Sequence, residues 1–234
     1  MKWSVWKPIY CDIVSQLNLD PKQDFQATTI LDELLRIHDS KSLLQNLDDL
    51  LNGKIIAVCG AGPSLEKHLE QMPNREDVII ISADGATTAL YDNQIQCDVI
   101  VTDLDGDVTM ISRMVKNGAI PIVHAHGDNI STIKKHVPEF TRVLGSTQVK
   151  PTENVQLWGG FTDGDRACFI AAHYNPEKII LLGMDFGKMV GKWSKPEHEM
   201  HFPASPRKQK KLRIAKSLIE YLEIKKGVKI VKMS

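Results

Sequence analysis

Lys54-Ile55-Ile56-Ala57-Val58-Cys59-Gly60-Ala61-Gly62-Pro63-Ser64-Leu65 is the stretch that decides the fold. Its first half is an apolar run without polar alternation, the pattern of a strand buried on both faces of a sheet. Its second half is a strand-to-helix turn. Two glycines let the backbone approach a ligand closely, and Pro63 suits the first turn of a helix. Backbone N–H groups exposed at such a turn favour phosphate. The third glycine of a dinucleotide fingerprint is replaced by Leu65, and no Gly-Lys-Ser/Thr of a Walker A loop follows.

Further runs of the same texture follow at Val78–Ser82, Asp98–Thr102, Ile120–His124, Thr141–Leu144, Val155–Trp158, Lys178–Leu182 and Val228–Val231. Helical stretches fit between most of them. The expectation is an α/β, Rossmann-like fold with a mostly parallel sheet flanked by helices, the last strand at an edge. Residues 1–52 read as a separate N-terminal helical segment. Leucines there recur at helical spacing, and Asp20-Pro21 and Asp39-Ser40 mark helix starts or breaks. Residues 53–234 form the expected catalytic domain.

Nearly every expected strand runs into a polar or glycine-rich motif. Strand two ends in Ser82-Ala83-Asp84-Gly85-Ala86, and strand three in Thr102-Asp103-Leu104-Asp105-Gly106-Asp107. Strand four ends in His124-Ala125-His126-Gly127-Asp128-Asn129. The Trp158 strand leads into Gly159-Gly160-Phe161-Thr162-Asp163-Gly164-Asp165-Arg166, and the next into Gly183-Met184-Asp185-Phe186-Gly187. In a parallel sheet these carboxyl ends share one edge, where ligands of open α/β sheets bind. At the opposite edge, residues 72–77 read as an ordinary solvated turn.

Asp103, Asp105 and Asp107 repel one another unless a cation neutralises them, and hard oxygen ligands of this kind suit Mg²⁺. The flanking sequence excludes an EF-hand. Asp84 fits a ribose contact, a metal ligand or a helix N-cap. His124 and His126 face one way at a strand end, where they could bind a transition metal or donate to phosphate oxygens. Arg166 could neutralise phosphoryl charge or pair with a neighbouring aspartate. The stretch 188–211, rich in Lys, His and Pro, could be a basic lid or a solvated loop and helix face.

The bulk numbers bound the rest. Twenty-nine Lys+Arg balance 29 Asp+Glu, so no charged surface for nucleic acid is expected. Four scattered cysteines form no C-x-x-C pair and read as reduced thiols. There is no apolar signal segment and no run near the ~20 residues that span a bilayer. A cytoplasmic location is the expectation.

Taken together, the motifs at 60–65, 83–86, 102–107, 124–129 and 160–166 resemble the archaeal 6-hydroxymethyl-7,8-dihydropterin diphosphokinase family, similar in core to thiamin diphosphokinases. The resemblance covers roughly Gly53 to Asp185. It implies transfer of diphosphate from ATP to the pterin hydroxymethyl group with release of AMP, feeding tetrahydromethanopterin or folate synthesis. It implies Mg²⁺ held by Asp84, Asp103, Asp105 and Asp107. Nucleotide contacts are assigned to Gly60, Gly62, Pro63, Ser64, Asp84, Gly85, Thr162 and Asp163. Asp105, His126, Asp128 and Arg166 are assigned to the transferring group. ATP and a pterin are the expected partners, with self-association into a homodimer left open. Three rivals use the same motifs: a thiamin diphosphokinase, a nucleotide-sugar glycosyltransferase of the motility accessory factor type, and a nucleotide-binding module without turnover.

Overall fold

A computed structural model of the chain describes residues 1–72, 75–195 and 197–233, with Arg75 described in its backbone alone. Pro73 and Asn74, in the turn expected at 72–77, lie outside the described residues. Eight strands form one parallel sheet: β1 (Ile55–Cys59), β2 (Ile79–Ala83), β3 (Val99–Thr102), β4 (Ile120–Ala125), β5 (Leu144–Thr147), β6 (Val155–Gln156), β7 (Lys178–Leu182) and β10 (Ile230–Lys232). Their order is β10-β7-β1-β2-β3-β4-β5-β6. The last strand is an edge, paired only with β7, as the sequence indicates. A separate two-stranded ribbon pairs β8 (Met189–Val190) with β9 (Phe202–Pro203).

The apolar runs behave as period-two elements with both faces buried. Ile56 and Val58 of β1 join one core cluster with Ile81, Val99, Ile122 and Leu181. Ala57 and Cys59 join the other with Ile80, Ile100, Val123 and Leu182. The first face is covered by α1 (Trp3–Leu17), α3 (Ser40–Leu51), α8 (Asp163–His173) and α9 (Pro206–Lys226). The second is covered by α2 (Pro21–Leu35), α4 (Leu65–Glu70), α5 (Ala86–Asp92), α6 (Val108–Lys116) and α7 (Ile130–His136). The N-terminal helices thus bury their leucines against the sheet. Asp20 caps α2 by accepting from Lys22 N–H, and Asp39 caps α3 by accepting from Ser42 N–H.

Two strands depart from the expectation. The run Thr141–Leu144 gives way to β5 at Leu144–Thr147, because Thr141 and Arg142 are exposed while the polar Ser146 and Thr147 are buried. The run Val155–Trp158 pairs only as far as Gln156. The basic stretch 188–211 is part loop and part helix. It holds the β8–β9 ribbon and then enters α9, where Ser205 caps the helix through Lys208 N–H and Pro206 starts it. His198 stacks on Phe202 at 3.7 Å, and His201 Nδ1 accepts from Lys192 N–H, so the two histidines form no pair. No helix among the described residues is long and apolar enough to cross a membrane.

Candidate active site

The carboxyl ends of β2 and β3 bring Asp84, Asp103 and Asp105 together, with one ligand oxygen of each within 4.8 Å of the others. The backbone is bent to achieve this. Asp84 has φ +42° and Leu104 φ +65°, left-handed values that side chains rarely adopt. Thr102 holds both bends: its Oγ1 donates to Asp84 Oδ1 at 2.5 Å and accepts from Leu104 N–H at 2.8 Å. Gly106 is required beneath them, since a Cβ there would lie 2.5 Å from Asp84 Oδ2. Asp107 points elsewhere. Its Oδ1 caps α6 through Thr109 and Met110 N–H groups, and it stands outside the three-carboxylate group.

The electrostatics of the group are asymmetric. Burial, together with the charges of Asp103 and Asp105, pushes Asp84 up to about 8. Burial also acts against ionised Asp103, but hydrogen bonds from His126 and from Asp105 N–H outweigh it and hold this carboxyl at about 2. Asp163, at the start of α8, is raised well above the ordinary carboxylate range by burial and by the same aspartates. It lines the same cleft from the helix side. Lys195 neutralises part of this charge, with Nζ paired to Asp105 Oδ2.

The turn after β4 supports Asp103. His126 Nε2 lies 3.1 Å from Asp103 Oδ2, and its Nδ1 accepts from Asp128 N–H at 3.3 Å. The ring proton therefore sits on Nε2, leaving His126 no free basic nitrogen. Asn129 Nδ2 donates to the carbonyls of Asp103 and His124, at 2.8 and 2.7 Å. Asp24 of α2 accepts from Gly127 N–H at 2.8 Å, from Tyr10 Oη at 2.5 Å and from Gln148 Nε2 at 2.8 Å. Asp128 itself is exposed at the rim.

The glycine turn differs from a phosphate cradle. Ser64 N–H and Oγ both donate to Asp185 Oδ2, at 2.9 and 2.7 Å, and Gly62 N–H donates to Gly183 O at 2.8 Å. The donors that would face an anion are spent on the protein, and a carboxylate already stands at the start of α4. The two glycines are needed for packing. A Cβ on Gly60 would lie 2.5 Å from Met184 Sδ, and one on Gly62 2.3 Å from Asp185 Oδ2. Thr162 caps α8 reciprocally with Asp165. Arg166 is buried beneath the floor. Its Nη2 donates to Phe161 O at 2.9 Å, while Nε and Nη1 have no partner.

These ends line a cleft of about 370 Å³, within the size range of small-molecule sites. Gly60, Gly62, Asp84, Gly85, Asp103, Asp105, His126, Asp128, Thr162 and Asp163 all line it, whereas Pro63, Ser64, Asp107 and Arg166 do not. The ribbon segment closes over one side: a Cβ on Gly85 would lie 1.9 Å from Trp193 O. From α9, Lys208 and Lys211 face inward.

The sequence profile described as "MptE-like: 6-hydroxymethylpterin diphosphokinase MptE-like" matches residues 29–190. Three archaeal relatives named 6-hydroxymethyl-7,8-dihydropterin pyrophosphokinase align over nearly their whole lengths. That of Pyrococcus furiosus is 41% identical, covering 100% of both chains. That of Methanocaldococcus jannaschii is 37% identical, covering 99% of this chain and 100% of its own. That of Methanothermobacter thermautotrophicus is 39% identical, covering 98% and 99%. The chain belongs to the MptE-like 6-hydroxymethylpterin diphosphokinase family.

A solved MAf glycosyltransferase from Magnetospirillum magneticum AMB-1 is 18% identical, with a TM-score of 0.41 over 68% of this chain and 28% of its own. The MptE-like chain has residues that fit a divalent cation: three converging carboxylates, one of them driven toward protonation by burial and by its neighbours. It also has residues that motif reading passed over. Asp24 sits in an amphipathic helix; Lys195, Lys208 and Lys211 belong to the basic stretch 188–211 and carried no individual role there.

Proposed function

We propose that this cleft binds Mg·ATP and 6-hydroxymethyl-7,8-dihydropterin, and transfers the diphosphate of ATP to the hydroxymethyl oxygen with release of AMP. Family membership supports the reaction. The convergence of Asp84, Asp103 and Asp105 is the observation that carries the site. These three would hold Mg²⁺, which when bound offsets the charge of the phosphates. His126 and Asn129 fix Asp103, and Thr102 fixes Asp84, so the ligand set is oriented beforehand. Lys195, Lys208 and Lys211 receive phosphate oxygens from the opposite wall. Burial, then Lys211, lowers the proton affinity of Lys208. An added polyanion reverses that tendency.

Transfer of this kind depends mainly on positioning and charge neutralisation. The acceptor alcohol must lose a proton as its oxygen attacks the β-phosphorus. Asp163 is the cleft-lining carboxylate outside those three whose proton affinity is raised, by burial and by the charges of the same aspartates; a cation neutralising them would let it ionise, and we then assign it the alcohol's proton. Asp128, on the rim, is left to contact the acceptor. The test is incubation with ATP, Mg²⁺ and the pterin, with thiamin in parallel, followed by separation of nucleotides and pterins. AMP with pterin diphosphate, in the pterin tube alone, is the expected outcome. AMP only with thiamin moves the chain to another acceptor, and no AMP in either tube sinks the proposal.

A further inference from the structure

A diphosphokinase must seat two organic groups on either side of one polyphosphate, and the assignment made here rests on that reading. The carboxylates ending β2 and β3 divide the cleft into two flanks of different chemistry. Toward β1 and β7 the walls are Gly60, Gly62, Gly183, Met184 and Phe186, together with Asp185, whose Oδ2 is taken up by Ser64 N–H and Oγ. The sheet also changes direction there, since β1 has β2 on one side and β7, then β10, on the other. Nucleotides favour such switch points.

Toward β4 and β5 the walls are His124 and Gln148, with Asp20 and Asp24 from the N-terminal helices and Asp128 at the rim. A triphosphate is repelled by three aspartates and drawn to the lysines. Arg207 reaches this flank, but its Nη1 donates to Leu17 O at 3.0 Å. What suits the flank is an uncharged, polar ligand with N–H groups to give.

His124 is the second, independent observation. It is 2% exposed. Its Nδ1 is bonded to Ser146 Oγ at 2.9 Å; the Gln148 side chain approaches the ring, but among the described residues none makes a hydrogen bond of good geometry to Nε2. Burial, reinforced by the charge of Arg166, keeps the ring neutral. A buried polar atom without a partner calls for one, and His124 lines the cleft. Asp24 has capacity too: it accepts three hydrogen bonds, against about four sites on a carboxylate.

We propose that the β4–β5 flank is the acceptor pocket, where His124 Nε2, Gln148 and Asp24 hold the pyrimidinone edge of a neutral amino-substituted heterocycle, while the nucleoside of ATP lies over β1 and β7. The 2-amino and ring N–H groups of such an edge donate to the carboxylate. Its carbonyl and ring nitrogens exchange hydrogen bonds with the imidazole and the amide.

The test uses His124→Phe, which keeps the ring's bulk and removes Nε2. Binding of the pterin is followed by its own fluorescence in saturating α,β-methylene ATP and Mg²⁺, and binding of the analogue by calorimetry. The expected result is about 10- to 100-fold weaker pterin binding, with analogue affinity changed less than about threefold. Loss of analogue affinity with pterin binding intact overturns the assignment. Hydrogen exchange on the unmodified protein guards against a misfolded variant. The pterin should protect residues 123–129 and 146–149, and the analogue 60–65 and 183–191; the reverse pattern also overturns it. AMP formation by the unmodified protein separates the two failures. Without AMP the diphosphokinase reading falls, whereas AMP with the reverse pattern leaves the reaction standing and removes only the acceptor pocket.

Discussion

Replacing Asp84 by Asn should stabilise the metal-free protein at alkaline pH and abolish its response to Mg²⁺. Asp84 is 7% exposed and carries a proton up to about pH 8, because burial and the charges of Asp103 and Asp105 oppose its ionisation. The unfolded chain gives up that proton near the ordinary value of 3.8. Between those values the folded state holds more protons than the unfolded one, so stability falls as pH rises through the window. The full interval corresponds to roughly 5–6 kcal/mol, an upper bound because Lys195 and the neighbouring carboxylates can readjust. About 3 kcal/mol is a reasonable share, and for a chain of this size it moves the melting temperature by roughly 6–12 °C.

Asn keeps an acceptor for Thr102 and loses the charge. The assay is thermal unfolding at about pH 5.5 and about pH 8.5, in chelator and in excess Mg²⁺. The unmodified protein should melt lower at the higher pH in chelator and recover with Mg²⁺. The variant should show no Mg²⁺ response and a smaller fall in melting temperature between the two pH values, the remaining fall belonging to Asp163. Equal destabilisation of the variant at both pH values, or an undiminished Mg²⁺ response, would refute the reasoning.

Lys195→Gln should bind Mg²⁺ more tightly than the unmodified protein in the absence of nucleotide, because a competing cation leaves Asp105, while turnover falls about 10-fold or more; calorimetry and steady-state kinetics read the two effects separately. Ser64→Ala should keep turnover within about threefold and lose about 1 kcal/mol of stability, since its hydroxyl bonds Asp185 and lies outside the cleft wall. Asp163→Asn should lower kcat by about 10²- to 10⁴-fold with Mg²⁺ affinity nearly unchanged; a parallel loss of Mg²⁺ affinity would make Asp163 a metal ligand instead of the proton acceptor.

What could be read from the chain alone follows the range of the interactions involved. The central strands were legible because their runs are apolar on both faces, and Asp84, Asp103 and Asp105 because each ends such a run. β5 was misplaced because Gly145, Ser146 and Thr147 are buried without being apolar, so burial left no hydrophobic mark. Ser64 misled because its partner, Asp185, is distant in sequence, and a glycine turn packed on another loop reads like one open to phosphate. Asp24 left no signal, since one buried carboxylate in an amphipathic helix looks like any helix aspartate until Gly127 and Gln148 arrive. The lysine-rich stretch was legible as loop followed by helix, but the β8–β9 ribbon inside it was not, because each of its strands is two residues long.

The pairing of β1 with β7 has a consequence for how the molecule comes into being. Ile55 lies beside Lys178, so the strand that opens the sheet waits for most of the chain before its second neighbour exists. Contacts of such span are slow to form. Until then Ile55–Cys59, apolar on both sides, is an open edge, the kind of surface on which unfinished chains stick to one another. A product truncated after β6 keeps Asp84, Asp103 and Asp105, yet it exposes that edge and lacks the lysines of the cleft. During synthesis, therefore, the hazard of aggregation is greatest just before the last third of the chain emerges, and the arrival of β7 and α9 closes the vulnerable edge and completes the cleft together.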